Sequence, residues 1–132
     1  MKPSEKKTTI RILVIDDVPE TGELLKVLIE ADARFQVLVA QHVAHAIYLI
    51  QKNRPNWILL DEVLTVGDDS SAVIHECIQK NINILMITGV YSDTQLPFPV
   101  KARLIKPELN SPKFTHNEFM SQLSQWIGRS LS

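Results

Sequence analysis

Apolar runs recur along the chain, unbroken at residues 12–15, 57–60 and 84–87 and interrupted only by Gln36 at 35–40, with a weaker one at 102–105. Runs this short, apolar at every position rather than at alternate ones, mark strands covered on both faces. The gaps between them carry apolar residues at helical spacing: Leu24, Val27, Leu28 and Ala31, then Val43, Ala46, Ile47 and Ile50, then Ile74, Cys77 and Ile78. A last helix is announced by a capping box, Thr115 with Glu118, by Phe114 and Phe119 placed to staple across it, and by the stripe Phe119, Leu123, Trp126 and Ile127. Strands alternating with helices require parallel pairing through right-handed crossovers, which set helices on both faces of the sheet. The prediction is an α/β fold: a three-layer, doubly wound, parallel sheet of about five strands in the flavodoxin-like order 2-1-3-4-5.

One gap departs from this rhythm. In VYSDTQLPFPVKA, residues 90–102, Pro97 and Pro99 leave room for about six helical residues where helices usually run ~10–14. The fourth helix is expected to be short or missing.

Composition narrows the functional classes. A chain of 132 residues suits one compact domain, with residues 1–9 read as a mobile polar tail and 10–130 as the domain. With 14 Lys and Arg against 15 Asp and Glu there is no basic footprint for nucleic acid. No segment approaches the ~20 apolar residues of a membrane span, and MKPSEKKTT does not open a signal peptide. The lone Cys77 excludes an internal disulfide and reads as a buried, inert thiol. A soluble cytoplasmic protein is expected, without nucleic-acid or membrane partners.

The chemistry lies where the apolar runs end. In doubly wound sheets ligands bind beyond the carboxyl ends of the strands. Here the first run is followed by Asp16 and Asp17, the third by Asp61, the fourth by Thr88 and Gly89, and the fifth by Lys106 and Pro107. Strands 1, 3, 4 and 5 are neighbours in the predicted order, so carboxylates, a hydroxyl and an ammonium should converge on one cleft. Taken singly, an Asp pair at a strand end is more often a turn and helix cap, and Thr-Gly and Lys-Pro are ordinary turn chemistry. Their joint arrival at adjacent strand ends is what favours a site. Clustered carboxylates repel unless a cation neutralises them, and all-oxygen ligation suits Mg2+ better than Zn2+. Lys106, Thr88 and the Gly89 N–H could then grip the oxygens of a phosphoryl group. His42 and His45 lack a third ligand, and they are read, with His75 and His116, as surface residues; Trp57 and Trp126 are read as packing.

These residues resemble the receiver domain of two-component response regulators, from about Ile10 to Ile127. ILVIDDVPETGELLKVLIE is similar to the family's first strand, acidic pair and first helix, NRPNWILLDEVL to the strand carrying its phosphoacceptor, and ILMITG and ARLIKP to the segments bearing its Thr and Lys-Pro. The resemblance implies that Asp61 takes a phosphoryl group from a histidine kinase or a histidine phosphotransfer protein. It implies that Asp17, Asp61 and the backbone carbonyl of Val63 hold Mg2+ or Mn2+, with Asp16 acting largely through water. It also implies a cis bond between Lys106 and Pro107, and signalling through an as yet unidentified protein partner rather than enzymatic turnover.

The chain departs from this family in several places. Thr65 and Asp69 stand where relatives usually carry Pro and Gly, leaving Gly67 for the turn and Asp68 or Asp69 as a cap. Val63 and Val90 replace residues that often position a hydrolytic water, which predicts slow loss of the phosphoryl group. Arg103 occupies the place of an aromatic switch residue, and is read either as a solvated edge-strand residue or as a contact for a partner's acidic group. A phosphorylation-independent adaptor and an aspartate-nucleophile phosphatase are the competing functions. Against the latter, no Asp-x-Asp follows the first strand.

Overall fold

A computed structural model of the protein describes residues 9–64, 69–89, 93–107 and 113–128, with side chains in the last segment described from residue 116. Its elements are β1 (Ile10–Ile15), α1 (Pro19–Glu30), β2 (Phe35–Ala40), α2 (Val43–Asn53), β3 (Trp57–Asp61), α3 (Ser70–Lys80), β4 (Asn83–Thr88), β5 (Arg103–Ile105) and α4 (Lys113–Ile127). The strands form one parallel sheet of five in the order β2-β1-β3-β4-β5, as the apolar pattern predicts.

Why the runs are apolar throughout follows from the two cores. Ile12 and Val14 of β1, Leu59 of β3 and Leu85 and Ile87 of β4 face Leu25 and Ile29 of α1 and Phe119, Leu123 and Ile127 of α4. Their sequence neighbours Leu13, Ile15, Ile58, Leu60, Ile84 and Met86 face the opposite way, onto Val43, Ala46 and Ile50 of α2 and Val73 and Cys77 of α3. Successive strand residues point to opposite faces, so a strand covered on both sides needs an apolar side chain at each position. The sheet is the middle of three layers.

Local chemistry sets the helix ends. Asp69 caps α3, its Oδ1 accepting from the Ser71 N–H at 3.0 Å and the Ser71 hydroxyl at 2.6 Å. Helices α2 and α3 close on residues with left-handed backbone, Arg54 at φ 49° and Asn81 at φ 56°. Asn tolerates this conformation because its short polar side chain bonds locally; Arg54 adopts it less readily. Cys77 is buried, and desolvation pushes its thiol up to about 12, which keeps it protonated and unreactive.

Three expectations change. The buried face of α1 runs through Gly22, Leu25 and Ile29, leaving Leu24 and Leu28 half-buried and Val27 exposed. Several apolar residues compete for the stripe in this helix, and the close approach of Gly22 to β2 fixes the rotation. α4 begins at Lys113, so Thr115 lies within its first turn instead of ahead of it; the side chains of Phe114 and Thr115 lie outside the described residues. In α3, Val73 and Cys77 are the buried positions and Ile78 is exposed.

Between β4 and β5 no helix occurs among the described residues. Residues 93–102 instead cross the α2–α3 side of the sheet, where Leu96 and Val100 pack against the core. Backbone bonds from Lys101 N–H to Ile84 O and from Met86 N–H to Ala102 O, each 2.9 Å, lead this segment into β5. Val90 lies outside the described residues, as do Thr65, Gly67 and Asp68 and most of the polar tail. No described helix is long and apolar enough to cross a membrane.

The approach of α1 to β2 supplies a test. A Cβ at Gly22 would lie 2.7 Å from Val39 Cγ1, and the β-branched Val39 has little rotamer freedom to yield. In an open helix Gly→Ala stabilises by up to about 1 kcal/mol, whereas overpacking costs about 1–3 kcal/mol. Gly22→Ala is expected to lower stability by about 1–2 kcal/mol in urea unfolding, and to raise it when introduced into Val39→Ala. A stabilising Gly22→Ala in the otherwise native chain would contradict the packing.

Candidate functional site

β1 and β3 end side by side at the carboxyl edge of the sheet, which sets their terminal acidic residues together. Asp16, Asp17 and Asp61 each offer an oxygen, and these oxygens lie within 4.8 Å of one another. Asp16 is fully buried, Asp61 nearly so, and Asp17 half-buried. Asp16 Oδ1 accepts from the Val18 N–H at 2.9 Å and so bends the chain from β1 into α1, where Pro19 opens the helix. Asp61 Oδ1 accepts from the Val63 N–H at 3.1 Å, a similar turn at the end of β3.

Lys106, one residue beyond β5, closes the cluster. Its Nζ is 2.9 Å from Asp16 Oδ2 and 3.1 Å from Asp61 Oδ1. The contact to Asp16 Oδ2 is an ion pair by distance without the direction of a hydrogen bond, so this buried oxygen keeps unused lone pairs. Burial works against the ammonium, but Asp16 and Asp61 outweigh it and hold the Lys106 pKa above its ordinary value. Asp61 shifts upward as well: burial is the main cause and the charge of Asp16 adds to it, against the Val63 N–H and Lys106.

The sequence-predicted residues Asp16, Asp17, Asp61 and Lys106 therefore meet in one cleft. Thr88 is buried at the end of β4, and its backbone oxygen accepts from the Lys106 N–H at 2.7 Å. Gly89 follows it, exposed, and a Cβ there would meet nothing within 4 Å. Val63 projects its side chain into solvent, 74 % exposed, which leaves no polar side chain at that position beside Asp61. Pro107 is buried, but the cis bond among the described residues is Phe98–Pro99 and not Lys106–Pro107. X-Pro isomers differ by only about 0.5–1 kcal/mol, so a Lys-Pro dipeptide cannot fix the isomer by itself.

One group was not legible as part of the site. Glu62 grips Arg103 in a two-pronged ion pair, Nε to Oε1 and Nη2 to Oε2, both 2.7 Å. Both side chains are largely covered, at 22 % and 10 % exposure, so Arg103 is neither a solvated edge residue nor a free contact for a partner. Thr88 lies near enough to Glu62 to be the least of the causes that lower its carboxyl. The Arg103 bonds foremost hold the Glu62 carboxyl below its ordinary range. The available signal was a charge of each sign at the ends of strands separated only by β4, but linear spacing does not show that both side chains leave the sheet on one face.

A set of oxygen donors with one buried carboxylate oxygen underused suits a hard cation such as Mg2+. The four histidines and Cys77 join no cluster of potential metal ligands among the described residues.

No family model matches the sequence, and no curated protein does. Solved structures match the fold. A two-component response regulator from Clostridium difficile aligns with TM-score 0.76 at 21% identity, covering 94% of this chain and 100% of that one. A chain from the complex of the CheA3 P1 domain with CheY6 of R. sphaeroides aligns with TM-score 0.74 at 17% identity, covering 92% and 98%. The BeF3-activated N-terminal receiver domain of Klebsiella pneumoniae RstA gives 0.69 at 21%, covering 87% and 96%. The chain has the fold of the response-regulator receiver domains.

The raised pKa of Asp61 makes a signed prediction. A carboxyl that binds its proton more tightly in the folded chain than in the unfolded one costs stability as pH rises from the unfolded value, near 3.8, through the folded one. Asp61→Asn is expected to raise the melting temperature by a few degrees at neutral pH in Mg-free buffer. The gain should vanish in acid, where the native carboxyl is also neutral. An unchanged or lower midpoint at neutral pH would count against this electrostatic picture.

Proposed function

We propose that this chain is a response-regulator receiver that signals by accepting a phosphoryl group on Asp61 in a Mg2+-dependent reaction. The observation that carries the reading is the buried Asp16–Asp61 pair with the Lys106 ammonium 2.9 and 3.1 Å away, at the carboxyl edge of a receiver-type sheet. Asp16, Asp17 and Asp61, with the backbone carbonyl of Val63, would hold the ion; when bound it offsets the carboxylate repulsion and the charge on the phosphoryl oxygens.

The chain's own groups do the rest. Ionised Asp61 attacks phosphorus through a carboxylate oxygen; a P–O bond forms as the P–N bond of a phosphohistidine breaks, and the imidazole leaves with that electron pair. Lys106, already cationic, pairs with a phosphoryl oxygen without any proton transfer, while the Thr88 hydroxyl and the Gly89 N–H donate to others. The immediate donor is a histidine kinase or histidine phosphotransfer protein, and the output is binding to a further protein. The complex of a CheA3 P1 domain with CheY6 contains a chain that shares this fold, which supports that class of donor. A cycle of this kind would operate in the cytoplasm.

Incubation with acetyl phosphate and Mg2+ is expected to add one phosphoryl group per chain, detected by intact mass and lost in Asp61→Asn and in excess chelator. Steady hydrolysis of phosphate monoesters in place of a stoichiometric label would favour a phosphatase, and unaltered partner binding by Asp61→Asn under these conditions would favour an adaptor. Because Val63 offers no polar side chain to orient water, the acyl phosphate should persist for minutes or longer. Decay within seconds would refute that point.

A further inference from the structure

An edge strand presents an outer row of N–H and C=O groups to which another chain can add. The sheet ends in β2 on one side and β5 on the other. β5 is only 3 residues long and opens on Arg103, and shortness and charge both blunt an edge. β2, with the sequence FQVLVA, has neither device. It runs for 6 residues without a charge, a Pro or a Gly, the composition of segments that readily pair with a further strand.

The cover for this edge comes from α1. Ile10 N–H bonds Arg34 O and Asp16 N–H bonds Ala40 O, so the even-numbered residues turn their main chain to β1, and Phe35, Val37 and Val39 turn theirs outward. The Phe35 N–H donates to Asp32 O at 3.1 Å. At Val37, the middle of the outward set, side chains take both groups: the N–H donates to Glu30 Oε2 at 2.8 Å, and the carbonyl accepts from Lys26 Nζ at 3.1 Å. One acceptor and one donor are what an added strand would offer there. Gly22, Lys26 and Glu30 follow one another at i,i+4 spacing along α1, so the close approach of Gly22 to Val39 carries the next two turns over the strand edge.

We propose that Lys26 and Glu30 stand in for a sixth strand, and that this cover keeps β2 from pairing with the β2 of a second copy. A strand edge meeting its own copy antiparallel is self-complementary about a two-fold axis, so the second copy supplies the matching donors and acceptors. The inference is independent of the phosphoacceptor reading, because β2 contributes no residue to the acidic cluster.

The test is Lys26→Ala combined with Glu30→Ala in the full chain, which leaves the net charge unchanged and favours helix in α1. Amide exchange followed by NMR at low concentration is expected to be on the order of tenfold faster at Val37, whose N–H loses a charged acceptor. Sedimentation velocity at rising concentration is expected to show a larger species that the native chain does not form at the same concentrations. Adding Gln36→Lys, which puts a charge on an exposed position of β2 itself, should remove that species. Glu76→Ala with Lys80→Ala deletes another i,i+4 pair from α3, a helix packed against α2 and β4, and should sediment like the native chain. The cover is overturned by unchanged Val37 exchange or by a Lys26 and Glu30 variant without the larger species. It is equally overturned if that species survives Gln36→Lys or appears when the α3 pair is removed.

Discussion

The Lys106 ammonium, 2.9 Å from Asp16 and 3.1 Å from Asp61, is the interaction on which the carboxyl edge of this sheet depends. Two carboxylates buried this close repel each other and lose their hydration, and both effects drive a carboxyl to hold its proton. A single cation just past β5, reaching across from beyond β4, offsets part of that cost, and only part, since Asp61 stays shifted upward. The residual imbalance is a property of the folded chain that a divalent cation would relieve. A buried ion pair of this kind is a poor device for stability alone, because apolar residues of similar size would pack as well without the desolvation penalty. Its presence at the strand ends is more readily understood as a requirement of chemistry.

The second polar group of the site obeys the same physics with the opposite result. Glu62 and Arg103 are also largely removed from water, but the guanidinium meets the carboxylate in two parallel bonds. Here the polar demands are met and the Glu62 carboxyl falls below its ordinary range. A well-paired group and an under-compensated one therefore sit on consecutive residues, Asp61 and Glu62, which direct their side chains to different surroundings. That separation leaves the Asp61 carboxylate in the acidic cluster while its neighbour fastens β3 to β5 across β4.

The likeness to solved receiver domains at 17–21% identity also has a physical reading. A doubly wound sheet asks for apolar residues of suitable volume at its core positions, and many combinations meet that demand. Isolated polar residues at strand ends are less replaceable. Here Asp16, Asp17, Asp61, Thr88 and Lys106 occupy such ends, while the segment after Thr88 lacks a described helix. Pro97 and Pro99 explain that loss directly, as each lacks the N–H that a helix would need.

The linear pattern by itself determined the layers and the cleft. Apolar runs at each strand, helical stripes between them and acidic, hydroxyl and ammonium groups just past the runs were enough to order the strands and bring Asp16, Asp17, Asp61 and Lys106 together, because strand ends are fixed by where hydrophobicity stops. What tertiary structure decided were matters of rotation and pairing. The turn of α1 onto Leu25 and Ile29 depends on the contact between Gly22 and Val39, residues far apart in the chain. The isomer of the Lys106–Pro107 bond depends on packing around two nearly equal states. Arg103 looked solvent-facing in the sequence because its partner, Glu62, comes 41 residues earlier, and only the sheet brings the two to 2.7 Å.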